Sequence, residues 1–212
     1  MKRILVISWF YPPINSSEGL VTYKLLKNSH YEYDVCMQNE NASWSYGNED
    51  ELPKCEHVRR ICLGGNTLEV WKKNVFNYFL KHADEYDIVM TRSMPPESHE
   101  IGLEIKRIKP QIKWIASFGD PIANNPFALK DMKKFSPYSL KNRYIRHMSV
   151  REMISPKRML KDALWIKRTK HEMNSFKVEQ KLETDILQNC DYVIFNNKYQ
   201  RDYMLKDSEK NI

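Results

Sequence analysis

The chain has 212 residues, enough for one compact core and short for two ordinary ones. Its 42% hydrophobic and 12% aromatic content suits a globular fold, and a net charge of +7 is too small for this length to predict disorder. No stretch approaches the roughly 18 apolar residues of a membrane span, and Met1-Lys2-Arg3 leads into an apolar run too short for a secretory leader.

Arg3 to Trp9 reads as a strand covered on both faces, because its apolar run is nearly continuous, and Pro12-Pro13 stop it. Beyond an Asn- and Ser-rich loop, Leu20, Tyr23, Leu25 and Leu26 recur at helical spacing, and Tyr33 to Met37 is a second strand. Residues 39–54 are polar and without period, as in a surface loop. A third strand fits His57 to Leu63, and the helix Leu68 to His82 puts Val70, Trp71, Val75, Tyr78 and Phe79 on one face. Tyr86 to Thr91 is the fourth strand, Glu97 to Lys109 a helix, and Lys113 to Phe118 the fifth strand, ended by Gly119-Asp120-Pro121. From about 124 to 189 long polar helices replace strand signals, before a sixth strand at Asp191 to Phe195 and a helix from Lys198.

This alternation predicts an α/β fold, a Rossmann-like three-layer sandwich. Its central sheet is mostly parallel, and a helical insertion precedes the last strand. The organisation expected is one domain over 1–212. The four cysteines, Cys36, Cys55, Cys62 and Cys190, form no Cys-x-x-Cys pair; they read as reduced thiols of a cytoplasmic protein, most of them in the core. Charge is concentrated between Lys141 and Lys181, where twelve Lys or Arg face four acidic residues and the rest of the chain is close to neutral.

Ligands of open parallel sheets bind beyond the carboxyl ends of the strands, so the loops after strands one, four and five hold the candidates. The first loop has one glycine, not the three of a dinucleotide fingerprint, which argues against a nicotinamide cofactor. Ser16, Ser17 and Gly19 at a helix start suit either phosphate binding or plain capping. After strand four stand Arg92, Glu97, Ser98 and His99. Glu97 and Ser98 also fit an ordinary helix start, whereas a charged residue closing a buried strand needs an anion or an acid. Asp120, locked by Pro121, is placed at the floor of the cleft or serves as a turn former.

Pro12-Pro13 after the opening strand, the helix from Ser17, Pro95-Pro96-Glu97-Ser98-His99, Phe118-Gly119-Asp120-Pro121 with Asn125-Pro126, and Glu183 ahead of Asp191-Tyr192-Val193-Ile194 occur in the order and spacing of one family. They resemble the N-terminal, acceptor-side domain of family 4 glycosyltransferases of the GT-B fold, over residues 1 to about 206. The resemblance implies retaining transfer from a nucleotide-sugar donor to a glycan or lipid-linked acceptor in polysaccharide or cell-envelope synthesis. It implies no metal and no cofactor, a donor-binding C-terminal domain lying past Ile212 and absent here, and no turnover by this chain alone. Asp120 takes the catalytic place, and Ser17, Glu18, Gly19, Arg92, Glu97, Ser98, His99 and Gly119 line the substrate. Two positions depart from the pattern. Glu18-Gly19 stands where many members have two glycines, and a carboxylate there repels a diphosphate unless it turns away. Gly119 stands where a histidine is usual.

The basic stretch 141–181 reads either as peripheral contact with an anionic membrane on its cytoplasmic face or as a solvated helical face. No nucleic-acid-binding motif accompanies it. The competing functional reading is a stand-alone, non-catalytic α/β module for an anionic ligand.

Overall fold

The computed structural model describes residues 3–14, 16–39, 55–123 and 174–206. Six strands form one sheet: β1 (Arg3–Ile7), β2 (Tyr33–Met37), β3 (Val58–Cys62), β4 (Tyr86–Arg92), β5 (Lys113–Phe118) and β6 (Tyr192–Phe195). Their order is β3-β2-β1-β4-β5-β6, and every adjacent pair is parallel. The helices are α1 (Ser17–Lys27), α2 (Leu68–His82), α3 (Glu97–Ile108), α4 (174–189) and α5 (Lys198–Met204), with a short 3-10 turn at Ala83–Glu85. The fold is an α/β Rossmann-like sandwich, and its sheet is parallel throughout the described residues.

Strand alternation decides which helix covers which face. Ile4 and Val6 of β1 join Val35, Met37, Tyr23 and Leu26 in one buried cluster, which puts α1 on that face, and Ile115 packs against the same cluster. Trp114 therefore points to the opposite face. There its ring lies so near Gly102 of α3 that a Cβ would come within 2.5 Å of it. α2 packs beside α3 and encloses Trp71, Val75 and Phe79 completely. Three helices begin on a side-chain cap: Ser16 accepts from Gly19 N–H at 2.9 Å, Thr67 from Val70 at 3.3 Å and Asn197 from Gln200 at 3.0 Å.

The amino ends of the strands are tied by one carboxylate. Asp34 of β2 is fully buried and accepts from Arg3 of β1 (2.8 Å), from Arg59 of β3 through two nitrogens (2.9 and 2.5 Å) and from the Tyr86 hydroxyl of β4 (2.6 Å). At the β5–β6 pair Asp191 accepts from Lys106, Lys113 and the Trp114 backbone N–H.

The chain divides into two compact units, 1–120 with 184–212, and 121–183. Within the second, Glu183 accepts from the backbone N–H groups of Ile122 (2.8 Å) and Ala123 (3.1 Å). Most of the expected insertion, and with it most of the basic stretch 141–181, lies outside the described residues. None of the four cysteines is in a disulfide. Cys36 and Cys190 are buried, Cys55 is half-buried and Cys62 is exposed, so only two of them are core residues.

Candidate functional site

The order 3-2-1-4-5-6 reverses direction between β1 and β4, and a crevice opens at such a switch point beyond the carboxyl ends of the strands. Arg92 closes β4 one residue later than periodicity suggests, because it still pairs with Ser117 across the ladder. Its side chain is 2% exposed. Nη1 donates to Ser117 Oγ at 2.5 Å, and Nη2 donates to Glu18 Oε1, also at 2.5 Å. Glu18 sits in the first turn of α1 with 14% of its side chain exposed. Its carboxylate lies over Gly119, where a Cβ would come within 2.8 Å of Oε2. Glycine at 119 is thus what lets an acid from α1 reach the end of β4.

The Gly119 peptide is held from both sides. Its N–H donates to Ser93 Oγ at 2.7 Å, and its carbonyl accepts from the Asn196 and Gln200 side-chain amides that follow β6. Asp120 comes next and is exposed. Burial pushes the Glu18 carboxyl above its ordinary range; Arg92 opposes that rise, and the negative charge of Asp120 adds to it. Burial likewise lowers Arg92, with Glu18 opposing. For both partners desolvation is the largest influence, as expected of a pair taken out of water.

His99 is fully enclosed against Phe118, with ring centroids 4.7 Å apart. Its Nδ1 shares a 2.6 Å hydrogen bond with Thr91 Oγ1, which also accepts from Trp114 Nε1 at 2.9 Å. Burial first, and then the charge of Arg92, push His99 down to about 3, so the ring is neutral at physiological pH. His99 Nε2, Ser98 Oγ, Glu97 Oε2 and Arg92 Nε are buried without a hydrogen-bond partner among the described residues.

The structure therefore brings Glu18, Arg92, Gly119 and Asp120 together at the carboxyl edge of the sheet, where such a crevice is expected. Ser17 is exposed at the helix start beside them. Gly19 is buried and its N–H is taken by Ser16, so for these two residues capping is what is seen. Ser98 and His99 are closed off within the fold. Ser93, Ser117 and Asn196, which hold the cluster in shape, do not stand out by type or spacing. The paired Asn196-Asn197 ending a strand was the one available signal.

Among the described residues no group of three or more His, Cys, Asp or Glu is placed to hold a metal ion, and no helix is long and apolar enough to cross a membrane. Fold and site together define a class: a parallel α/β protein with a polar side-chain cluster beyond the strand ends at the β1/β4 switch point. No protein-family model, curated protein or solved structure matches the chain. Function is accordingly argued from the crevice itself.

Proposed function

We propose that the chain is the acceptor-side domain of a glycosyltransferase that moves a sugar from a nucleotide-sugar donor to a glycan or lipid-linked hydroxyl. One observation carries this reading: an exposed carboxylate, Asp120, stands at the switch-point crevice beside a dry Arg92–Glu18 pair, on a turn whose backbone is fixed from both sides. A solvent-facing carboxylate on a rigid support is suited to orienting a sugar hydroxyl, and Asp120 directly follows Gly119, which stands where the family has its histidine. Ser17 at the start of α1 faces the donor's phosphates, where the helix dipole favours negative charge. Glu18, the residue that departs most from the pattern, supports the reading because its charge is met by Arg92. Four cysteines outside any disulfide favour the cytoplasm as the place of action.

The test is transfer by the natural-length gene product across a panel of nucleotide sugars, with saccharide and lipid-linked acceptors. One donor should be consumed, and Asp120→Asn should lower that rate by about 10²-fold or more. No consumption of any donor overturns the proposal. Unchanged turnover in Asp120→Asn removes that residue from the chemistry. Binding of an anion without transfer supports the stand-alone module instead.

A further inference from the structure

Arg92 needs an anion at all times, because a guanidinium on a side chain only 2% exposed is strongly destabilising if left unpaired. Glu18 supplies that anion, but the two partners are not held alike. Arg92 is fixed by its strand, by burial and by its bond to Ser117. Glu18 hangs from the first turn of α1, is attached to Arg92 through Oε1, and keeps 14% of its side chain in solvent. A change of rotamer returns it to water. Asp120 works against its ionised form in place. The pose also needs an empty Cβ position at Gly119.

An incoming oxyanion would keep Arg92 paired while Glu18 regains full hydration, so the exchange avoids the large cost of orphaning the guanidinium. Arginine and the start of a helix both favour a phosphate group, which carries more charge than a carboxylate. We infer that Glu18 is a resting counter-ion, displaced from Arg92 when a phosphate-bearing ligand enters the crevice. The inference rests on the proposed function only in taking this crevice as the ligand site, and it adds how entry is controlled. Glu18 becomes a built-in competitor that keeps free anions out unless other contacts help them in.

The probe is inorganic sulfate, which stays doubly charged between pH 5 and 8. Its binding is read from the amide NMR signals of Ser117 and Gly119 and from the Arg92 Nε–H signal. Glu18→Gln should bind sulfate about tenfold tighter than the wild type or better. The groups facing Glu18 are Arg92 and Asp120, with His99 nearby and neutral throughout this window. Wild-type affinity should rise as pH falls toward the raised range in which Glu18 protonates, and Glu18→Gln should lack that rise. Gly119→Ala tests the same contest with the carboxylate retained, since the added methyl group would come within 2.8 Å of Glu18 Oε2 and force that side chain to shift; it too should bind sulfate more tightly. Equal affinity in the wild type and both variants, or sulfate shifts that miss Ser117, Gly119 and Arg92, overturns the inference. Tighter binding by Glu18→Gln without sugar transfer by the natural-length protein leaves this inference standing and removes the glycosyltransferase reading; transfer with unchanged sulfate affinity does the reverse.

Discussion

Two buried ionisable residues near the crevice differ in how their cost is met. Arg92 is charged and dry, so its contribution depends on Glu18. Removing one partner of such a pair costs about 3–5 kcal/mol, whereas replacing both by uncharged groups costs much less. Urea unfolding should therefore show Arg92→Met losing several kcal/mol, with Arg92→Met plus Glu18→Gln recovering a large part. Additive losses would mean that the two side chains do not act as a pair. His99 is met differently, by staying neutral. Its pKa is held at about 3 in the folded protein against about 6.5 when unfolded. Below about pH 6.5 the unfolded chain gains a proton that the folded one refuses, and stability falls by up to about 1.4 kcal/mol per pH unit until the folded pKa is reached. Stability measured from pH 7 to 5 should show this slope, and His99→Asn should flatten it. That Arg92 would meet an anion or an acid was legible from a charged residue closing a buried strand. That the acid is Glu18 was not, because 74 residues separate them and no local pattern links a first helix turn to the end of β4.

Element types follow from hydrophobic period, and their ends follow from contacts that period does not see. The run through Trp9 reads as strand, yet β1 stops at Ile7; Trp9 leaves the ladder and meets Trp71 of α2 edge to face at 5.1 Å. β4 instead gains Arg92, because Ser117 pairs with it. Gly102 is the clearest case of tertiary packing overriding local preference. A glycine inside a helix costs about 1 kcal/mol relative to alanine, so Gly102→Ala should stabilise α3 by propensity alone. Its Cβ would instead meet the rigid, fully buried indole of Trp114 at 2.5 Å, and overpacking of that kind costs about 1–3 kcal/mol. The expected net result is destabilisation, seen as a lower urea midpoint with unchanged slope. A gain in stability would show that α3 can slide off β5. The pattern of apolar residues in α3 is clear in the sequence, but the distance of its backbone from β5 is set by a tryptophan on another element.

Parallel strands gather their amino ends at one edge of the sheet and their carboxyl ends at the other, and this protein uses the two edges differently. Alternating strands and helices made parallelism legible, and right-handed crossovers restrict how the strands can be ordered. The order 3-2-1-4-5-6 itself comes from pairings that no segment encodes alone. At the carboxyl edge lie an exposed Asp120 and the Arg92–Glu18 pair. At the amino edge lies Asp34, with four strands joined through one carboxylate. Burial pushes the Asp34 pKa up, but hydrogen bonds from Arg59, Tyr86 and Arg3 together outweigh it and hold the group below its ordinary value. A carboxylate lowered by folding stabilises the protein above its unfolded pKa of about 3.9, and that contribution is lost as pH falls through the lower folded value. Asp34→Asn keeps the shape and removes the charge. The cost at pH 7 should be near the lower end of the 3–5 kcal/mol range for a broken buried pair, about 3 kcal/mol, because Arg3 and Arg59 both reach solvent and can be hydrated when released. The decisive measurement is the gap in unfolding free energy between wild type and variant as a function of pH. It should be constant from pH 7 to about 5 and shrink below about pH 4, as wild-type Asp34 takes up its own proton. Glu18 contributes in the opposite sense, since its raised pKa favours the folded state as pH falls, and the Asp34→Asn comparison cancels it because both proteins carry it. A gap that stays constant to the lowest pH would assign Asp34 a packing role and leave its charge with none.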